Sequence, residues 1–232
     1  MKSVGGDASR ESTDDRCRLA AHEIRSHLSV LNGYLALLED GSLGSLPTHA
    51  RSALLPMRAK VTAISRLVDD MLEEARFRDG RLHLSSRPTD LRALVEAAVA
   101  DARLDLPNRH ELRANLPELP VVARVDGRRI TTILRNLLDN AIKYSPDGGV
   151  IECELTCAPG IARITVRDPG IGIDAADIER LFGRFQRGRA SNEGVGLGLY
   201  ISRTLARLHG GDITVSSAPG AGSEFVVTLS IA

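Results

Sequence analysis

Asn136-Leu137-Leu138-Asp139-Asn140-Ala141-Ile142-Lys143-Tyr144 is the stretch on which the reading of this chain turns. It closes a helix expected from about Arg128 to Lys143. Asn136 and Asn140 lie four residues apart, so they share one helix face. Lys143 follows three residues later on a neighbouring part of that face. Amide oxygens can hold a hard cation such as Mg²⁺, and an ammonium can meet phosphate. An ordinary polar helix face would read the same way, so the stretch needs its surroundings.

Two glycine motifs follow it. Asp168-Pro169-Gly170-Ile171-Gly172-Ile173 comes directly after an expected strand. Its glycines let the backbone pass close to a flat ligand. A carboxylate at the strand end can accept a hydrogen bond from an amino group such as that of adenine. Gly194-Val195-Gly196-Leu197-Gly198-Leu199 opens a helix expected over Gly196–Leu208. Free N–H groups and the positive helix end make an anion site there. It lacks both the glycine spacing of the dinucleotide fingerprint and the Lys-Ser/Thr ending of a P-loop. The flanking pattern supplies the rest of an α/β layer. Strands are expected at Leu82–Ser86, Glu111–Asn115, Val121–Val125, Val150–Thr156, Ile161–Arg167, Ile213–Ser217 and Phe225–Ile231. Pro159-Gly160 makes a turn between two of them, and Asp90 caps an Ala-rich helix to about Arg103. About 150 residues in this pattern can bury their own core.

Before residue 80 the spacing is helical. Cys17, Ala21, Ile24, Leu28, Leu31, Leu35 and Leu38 form one heptad stripe. Leu54, Met57, Val61, Ile64, Val68, Met71 and Ala75 form another. Gly41 and Gly44 suit a helix end, and Pro47-Thr48 suits a restart. The reading is an antiparallel hairpin whose narrow seams invite a second copy, giving a dimeric four-helix bundle. Pro56 should kink the second helix.

Composition narrows the function. Thirty basic and thirty acidic residues cancel, which argues against non-specific nucleic-acid binding. Three sparse cysteines make no disulfide framework, so a reducing compartment, the cytoplasm, is expected. Cys153 and Cys157 lack a nearby His partner and are not read as a zinc site. No apolar run reaches the ~18–20 residues a membrane span needs, so direct membrane insertion is not expected. With aromatic residues at 3% and no Trp, the core must be aliphatic.

In this order, the three α/β motifs resemble the N, G1 and G2 boxes of the GHKL ATPase superfamily, and within it the sensor histidine kinases of two-component systems. Leu181-Phe182-Gly183-Arg184-Phe185-Gln186-Arg187 resembles that family's F box, and Gly220-Ala221-Gly222-Ser223-Glu224-Phe225 its C-terminal glycine motif. In the helical half, His22-Glu23-Ile24-Arg25-Ser26-His27-Leu28 resembles its H box. The likeness covers about residues 15–232. The heptad places Ile24 and Leu28 in the seam and His22 at an outward position, with Ser26 one turn on. A neutral, exposed imidazole is what a phosphoacceptor requires. Three positions depart from the family. His27 stands where the H box usually has proline, Ser26 where it often has Thr or Asn, and Pro169 where the G1 box commonly has Asn.

The resemblance implies residues 1–80 as a dimerisation and phosphoacceptor hairpin and residues 81–232 as an α/β sandwich ATP-binding domain of the GHKL type. It implies autophosphorylation of His22 from ATP, with Glu23 orienting the ring or taking its proton. The phosphoryl group would then pass to an aspartate of a response-regulator receiver. Ser26 raises the prospect of phosphatase action as well. Asn140, and less so Asn136, would hold Mg²⁺. The nucleotide would lie against Lys143, Tyr144, Asp168, Gly170, Gly172, Phe185, Arg187, Gly194, Gly196, Leu197 and Gly198. Only 21 residues precede His22, too few for a sensory domain. Either the chain is a core cut from a longer kinase, or a separate partner delivers its signal. Two alternatives stand beside this reading. One is a phosphotransfer adaptor that has lost ATP use. The other is a GHKL-type serine kinase such as an anti-sigma regulator.

Overall fold

The computed structural model describes residues 7–78, 83–186 and 196–231, with side chains from residue 19 onward save those of His22, Arg76 and Arg78. The chain divides into two units, Met1–Leu82 and His83–Ala232.

In the first unit, α1 (Asp7–Glu39) and α2 (Thr48–Arg78) form a hairpin. Arg25 pairs with Asp69, and Arg58 with Glu39 at 2.9 Å, so the helices run in opposite senses. Gly41 and Gly44 take positive φ (81° and 102°) in the connection, a conformation that glycine adopts without strain. α1 starts at Asp7, ahead of Cys17, the first position of its apolar stripe. α2 continues through Pro56.

The heptad stripe of each helix splits into two columns. Ala21, Leu28 and Leu35 are buried, and so are Leu54, Val68 and Ala75, joined by Leu72 from outside the expected stripe. Ala21, Leu28, Val68 and Leu72 form one cluster with Val61 against it. The other column is bare: Ile24 (44% exposed) and Leu31 (50%) on α1, Met57 (55%), Ile64 (45%) and Met71 (54%) on α2. One hairpin covers half of its own seam.

The second unit places three helices on one face of a five-stranded sheet. β1 (Arg87–Asp90) pairs antiparallel with β3 (Val122–Val125) as a small separate sheet. The strand expected at Leu82–Ser86 thus lies later in the chain; Leu82 is outside the described residues. Pro88 fits because a two-stranded sheet leaves one edge of β1 unpaired. The main sheet has β2 (His110–Asn115), β4 (Gly149–Ala158), β5 (Ile161–Asp168), β6 (Asp212–Ser217) and β7 (Ser223–Ser230) in the order β2-β4-β5-β7-β6. β2 and β4 are parallel, and the remaining pairs are antiparallel.

Strand alternation separates the two sheet faces. Ile151, Cys153 and Leu155, Ala162, Ile164 and Val166, and Phe225, Val227 and Leu229 face inward. They meet α3 (Leu91–Leu104), α4 (Gly127–Lys143) and α6 (Gly198–Leu208). α4 contributes Ile130, Ile133, Leu134, Leu137, Leu138 and Ala141, and α6 contributes Ile201, Leu205 and Ala206. Each such Leu or Ile is worth roughly 1.5–3 kcal/mol of burial. The opposite face carries Arg167 bonded to Glu154 (3.1 Å) and Glu224. Asp90 and Asp126 cap α3 and α4 by accepting the N–H groups of Arg92 and Arg128. α5 (Ala175–Ile178), capped by Asp174, is one turn long and gave no periodic signal in sequence. No helix among the described residues is long and apolar enough to cross a membrane.

Candidate functional site

α4 is the spine of the candidate site. The Asn136 Nδ2 donates to the Gly198 carbonyl and to the Ser202 hydroxyl, both at 3.2 Å. This ties the middle of α4 to the first turn of α6. Two turns later the Tyr144 carbonyl accepts the Ile171 N–H at 3.0 Å. That bond joins the end of α4 to the turn after β5. Asn140 lies between these anchors, half-buried, and among the described residues its amide has no hydrogen-bond partner. The two asparagines therefore differ. Asn136 is engaged in holding α6, and Asn140 has donor and acceptor to offer. Lys143 sits over the Tyr144 ring, Nζ 5.2 Å from its centre.

Asp168 ends β5, and its Oδ1 accepts the Gly170 N–H at 2.9 Å. It is 9% exposed, and burial pushes its carboxyl above the ordinary value. The turn it anchors is built with no room to spare. A Cβ on Gly170 would fall 2.2 Å from the Tyr144 carbonyl oxygen, and one on Gly172 (φ +70°) 1.9 Å from that of Ala218. The Ile171 carbonyl accepts the Gly220 N–H at 2.7 Å, and Ser217 Oγ accepts the Ile173 N–H at 2.9 Å. The glycine motif after β6 is therefore the back wall of this turn, a role the sequence did not announce.

The third motif is partly described. Gly194 and Arg187 lie outside the described residues, as does the segment 187–195. Its two edges are packed together: a Cβ on Gly196 (φ +74°) would meet the Gln186 carbonyl oxygen at 2.3 Å. Phe185 is 56% exposed, has φ +58°, and shares the Arg184 guanidinium with Tyr200. Leu197 is 2% exposed, so its side chain belongs to the core and only its main chain faces the site. Gly198 differs from the other glycines. Among the described residues, the nearest atoms to a Cβ there are those of the Asn136 amide group, at an ordinary 3.6 Å. The protein's own packing does not require this glycine. α6 begins without a side-chain cap, so among the described residues no side chain serves its first N–H groups. Space that a Cβ would fill, beside an uncapped helix start, fits a phosphate. A free amide on Asn140 suits a hard cation at that phosphate.

Sequence reasoning missed two side chains that hold the frame. The His209 Nε2 accepts the Asp126 N–H at 3.0 Å while its Nδ1–H donates to the Leu205 carbonyl at 2.7 Å. This pins the end of α6 to the cap of α4. Arg203 lies 4.5 Å over the Phe182 ring and forks onto Asp212 at 2.7 and 3.0 Å. Asp126 is 83 residues from His209, so that link had no local signal.

In the helical unit, His22 lies on α1 directly after the buried Ala21, and its side chain is outside the description. Glu23 and Ser26 are exposed.

Residues 125–232 match the family model of histidine kinase-, DNA gyrase B-, and HSP90-like ATPases. The probable sensor histidine kinase TcrY of Mycobacterium tuberculosis is 36% identical over 214 residues, 90% of this chain and 44% of its own. The adaptive-response sensory kinase SasA of Thermosynechococcus vestitus is 37% identical over 226 residues, 92% of this chain and 58% of its own. The chain thus spans about half the length of these curated relatives. Among solved structures, full-length ShkA in complex with AMPPNP aligns over 94% of this chain and 46% of its own, at 26% identity and a TM-score of 0.72. The Acinetobacter baumannii histidine kinase AdeS aligns over 90% of this chain and 98% of its own, at 26% identity and a TM-score of 0.61. Motifs, frame and relatives agree: the chain belongs to the sensor histidine kinases of two-component systems, as a core carrying their GHKL-type ATPase fold.

Proposed function

We propose that the chain is an ATP-dependent histidine autokinase that phosphorylates His22 and passes the phosphoryl group to an aspartate of a response-regulator receiver. One observation carries the reading. α4 is anchored at Asn136 to the start of α6 and at Tyr144 to the Asp168 turn, with the Asn140 amide, unpartnered among the described residues, between. The relative solved with AMPPNP supports a nucleotide there.

In this reading Asp168 accepts the adenine amino group. The first N–H groups of α6 and the absent side chain of Gly198 receive the phosphates. Asn140 would hold Mg²⁺ through its amide oxygen, with Asn136 the weaker candidate because its bonds to Gly198 and Ser202 fix its amide against α6. The ion supplies neutralisation of phosphate charge. Lys143 and Tyr144 flank the nucleotide, Phe185 closes its edge, and Arg187 and Gly194 complete the phosphate side. His22 attacks the γ-phosphorus in line, forming a P–N bond as the bridging P–O bond to ADP breaks. Glu23 takes the imidazole proton. Positioning and charge neutralisation supply most of the rate. The receiver then docks beside His22 and Ser26, where Ser26 can also position a water for dephosphorylation.

The bare column Ile24, Leu31, Met57, Ile64 and Met71 supports a homodimer. A second hairpin offers the same column in return, closing a four-helix bundle. Cys153 and Cys157 are free thiols, in keeping with work in the cytoplasm.

The test is incubation with Mg²⁺ and γ-labelled ATP, comparing the native chain with His22→Ala and Asn140→Ala. Acid-labile label on the native chain, absent from both variants, is expected. Acid-stable label would point to a serine kinase. No label and no nucleotide binding would leave a phosphotransfer adaptor.

A further inference from the structure

His110 opens β2, is 8% exposed, and belongs to none of the motifs considered above. Its Nε2 lies 2.9 Å from the Ser145 carbonyl oxygen. A carbonyl only accepts, so the proton of the ring is on Nε2. Nδ1 is then a bare acceptor, buried and without a partner among the described residues. An imidazole kept buried at the cost of one unmet nitrogen has its use at the other.

That use is visible in the turn it touches. Residues 144–149 leave α4 and enter β4, wedged between the start of β2 and the turn after Asp168. On one side the Gly149 N–H donates to the Arg109 carbonyl at 2.9 Å, and Gly148 packs where a Cβ would fall 2.1 Å from that oxygen. On the other side the Tyr144 carbonyl takes the Ile171 N–H, and a Cβ on Gly149 would meet the Pro169 ring at 2.8 Å. The Ser145 carbonyl sits inside the wedge and also accepts the Gly148 N–H at 3.0 Å. These other bonds run main chain to main chain. The bond from His110 is the one that a substitution can remove.

We propose that His110 is a positioning residue of the nucleotide site. Its Nε2–H, given to the Ser145 carbonyl, holds the turn after α4 against β2, and so sets where Tyr144 and the Asp168–Ile171 turn stand relative to each other. The proposal rests on the nucleotide reading of that site. It adds that the geometry of the adenine side is set from behind by a side chain that touches no ligand.

The test uses the full chain and AMPPNP, with affinity by calorimetry and folding by thermal melting. His110→Phe fills the space without the donor. His110→Gln offers an amide N–H at similar reach. Leu112→Ala damages the same strand at a buried position (4% exposed) with no part in the wedge. His110→Phe should weaken AMPPNP about tenfold, the worth of one hydrogen bond, while labelling at saturating ATP stays within about twofold of native. His110→Gln should bind within about threefold of native. Leu112→Ala should melt lower and bind like the native chain. If His110→Phe does not fold, His110→Asn carries the same expectation, because its shorter amide falls short of Ser145. Native affinity in His110→Phe, or an equal loss in Leu112→Ala, overturns the proposal. A native chain that does not bind AMPPNP overturns the nucleotide reading itself, and this proposal with it.

Discussion

Replacing Gly198 by alanine separates folding from binding. At most glycines of the site an added Cβ collides with the protein. The distances are 2.2 Å at Gly170, 1.9 Å at Gly172 and 2.3 Å at Gly196, each to a carbonyl oxygen. At Gly198 the nearest atoms among the described residues are those of the Asn136 amide group, 3.6–3.9 Å away, which is ordinary contact. The backbone there is not in the left-handed region, so alanine adopts it freely. Alanine is also the better helix residue. The gain at a first turn is about 0.5 kcal/mol, part of the ~1 kcal/mol seen in helix interiors. For a unit of this size that raises the melting temperature by about 1–2 °C. The new methyl tilts toward the helix N-terminus, into the space given to phosphate. Losing one hydrogen bond to a charged group costs about 1.5–3 kcal/mol, or roughly 10–150-fold in affinity. Calorimetry with AMPPNP and a thermal melt read both quantities on one sample. Native affinity in Gly198→Ala would refute the phosphate assignment. A melting temperature lowered by several degrees would refute the claim that the fold does not need this glycine.

The two asparagines of α4 should part company. Asn140→Ala should abolish labelling with little change in melting, while Asn136→Ala should also destabilise by about 1–2 kcal/mol through its lost bonds to Gly198 and Ser202, read by urea titration. Asp212 is held below the ordinary carboxylate value, first by its bonds to Arg203. A depressed folded value adds stability above the unfolded value of 3.8 and loses it as pH falls through the folded one. Asp212→Asn should therefore cost about 1 kcal/mol at pH 7, allowing for solvent screening, and progressively less below about pH 4 in melts across pH. Ile64→Glu places a charge in the bare column of α2. It should leave the second unit's melt unchanged and shift the chain from dimer to monomer in sedimentation.

Much of the ATPase unit was legible because its elements obey local rules. α4 carries its capping Asp126 and its apolar stripe within one segment, and the observed Gly127–Lys143 starts one residue from the expected bound. Strand partners were another matter. β2 lies beside β4 in parallel although β3 and α4 intervene, and nothing in the residues of either strand names the other. β1 was displaced from Leu82–Ser86 to Arg87–Asp90 because pairing with β3, not its own alternation, defines it. In the site, the glycine motifs and the shared face of Asn136 and Asn140 could be read directly. The division of labour between those two asparagines could not, because Ser202 is 66 residues away. His110 was passed over for the same reason, its use being set by the carbonyl of a distant turn, and the bond from the Asp126 N–H to His209 spans 83 residues.

The two ends of α6 are secured unequally. Its start follows Leu197, which offers no side-chain cap. Its end is held by His209 to Asp126, by the Gly211 N–H on the Ala206 carbonyl, and by a Gly211 so close to Thr228 that a Cβ would fall 1.8 Å from the carbonyl oxygen. Asn136 holds the Gly198 carbonyl and the Ser202 hydroxyl, so what is loose at the start is the uncapped N–H groups and not the turn as a whole. Amide hydrogen exchange along the helix should be graded, fast in the first turn and slow in the last, with nucleotide flattening the gradient from the fast end. Only a few residues then lose freedom when the phosphates arrive, which keeps the entropic cost of capture small. The fixed end keeps the helix in register with α4 through every round of binding and release.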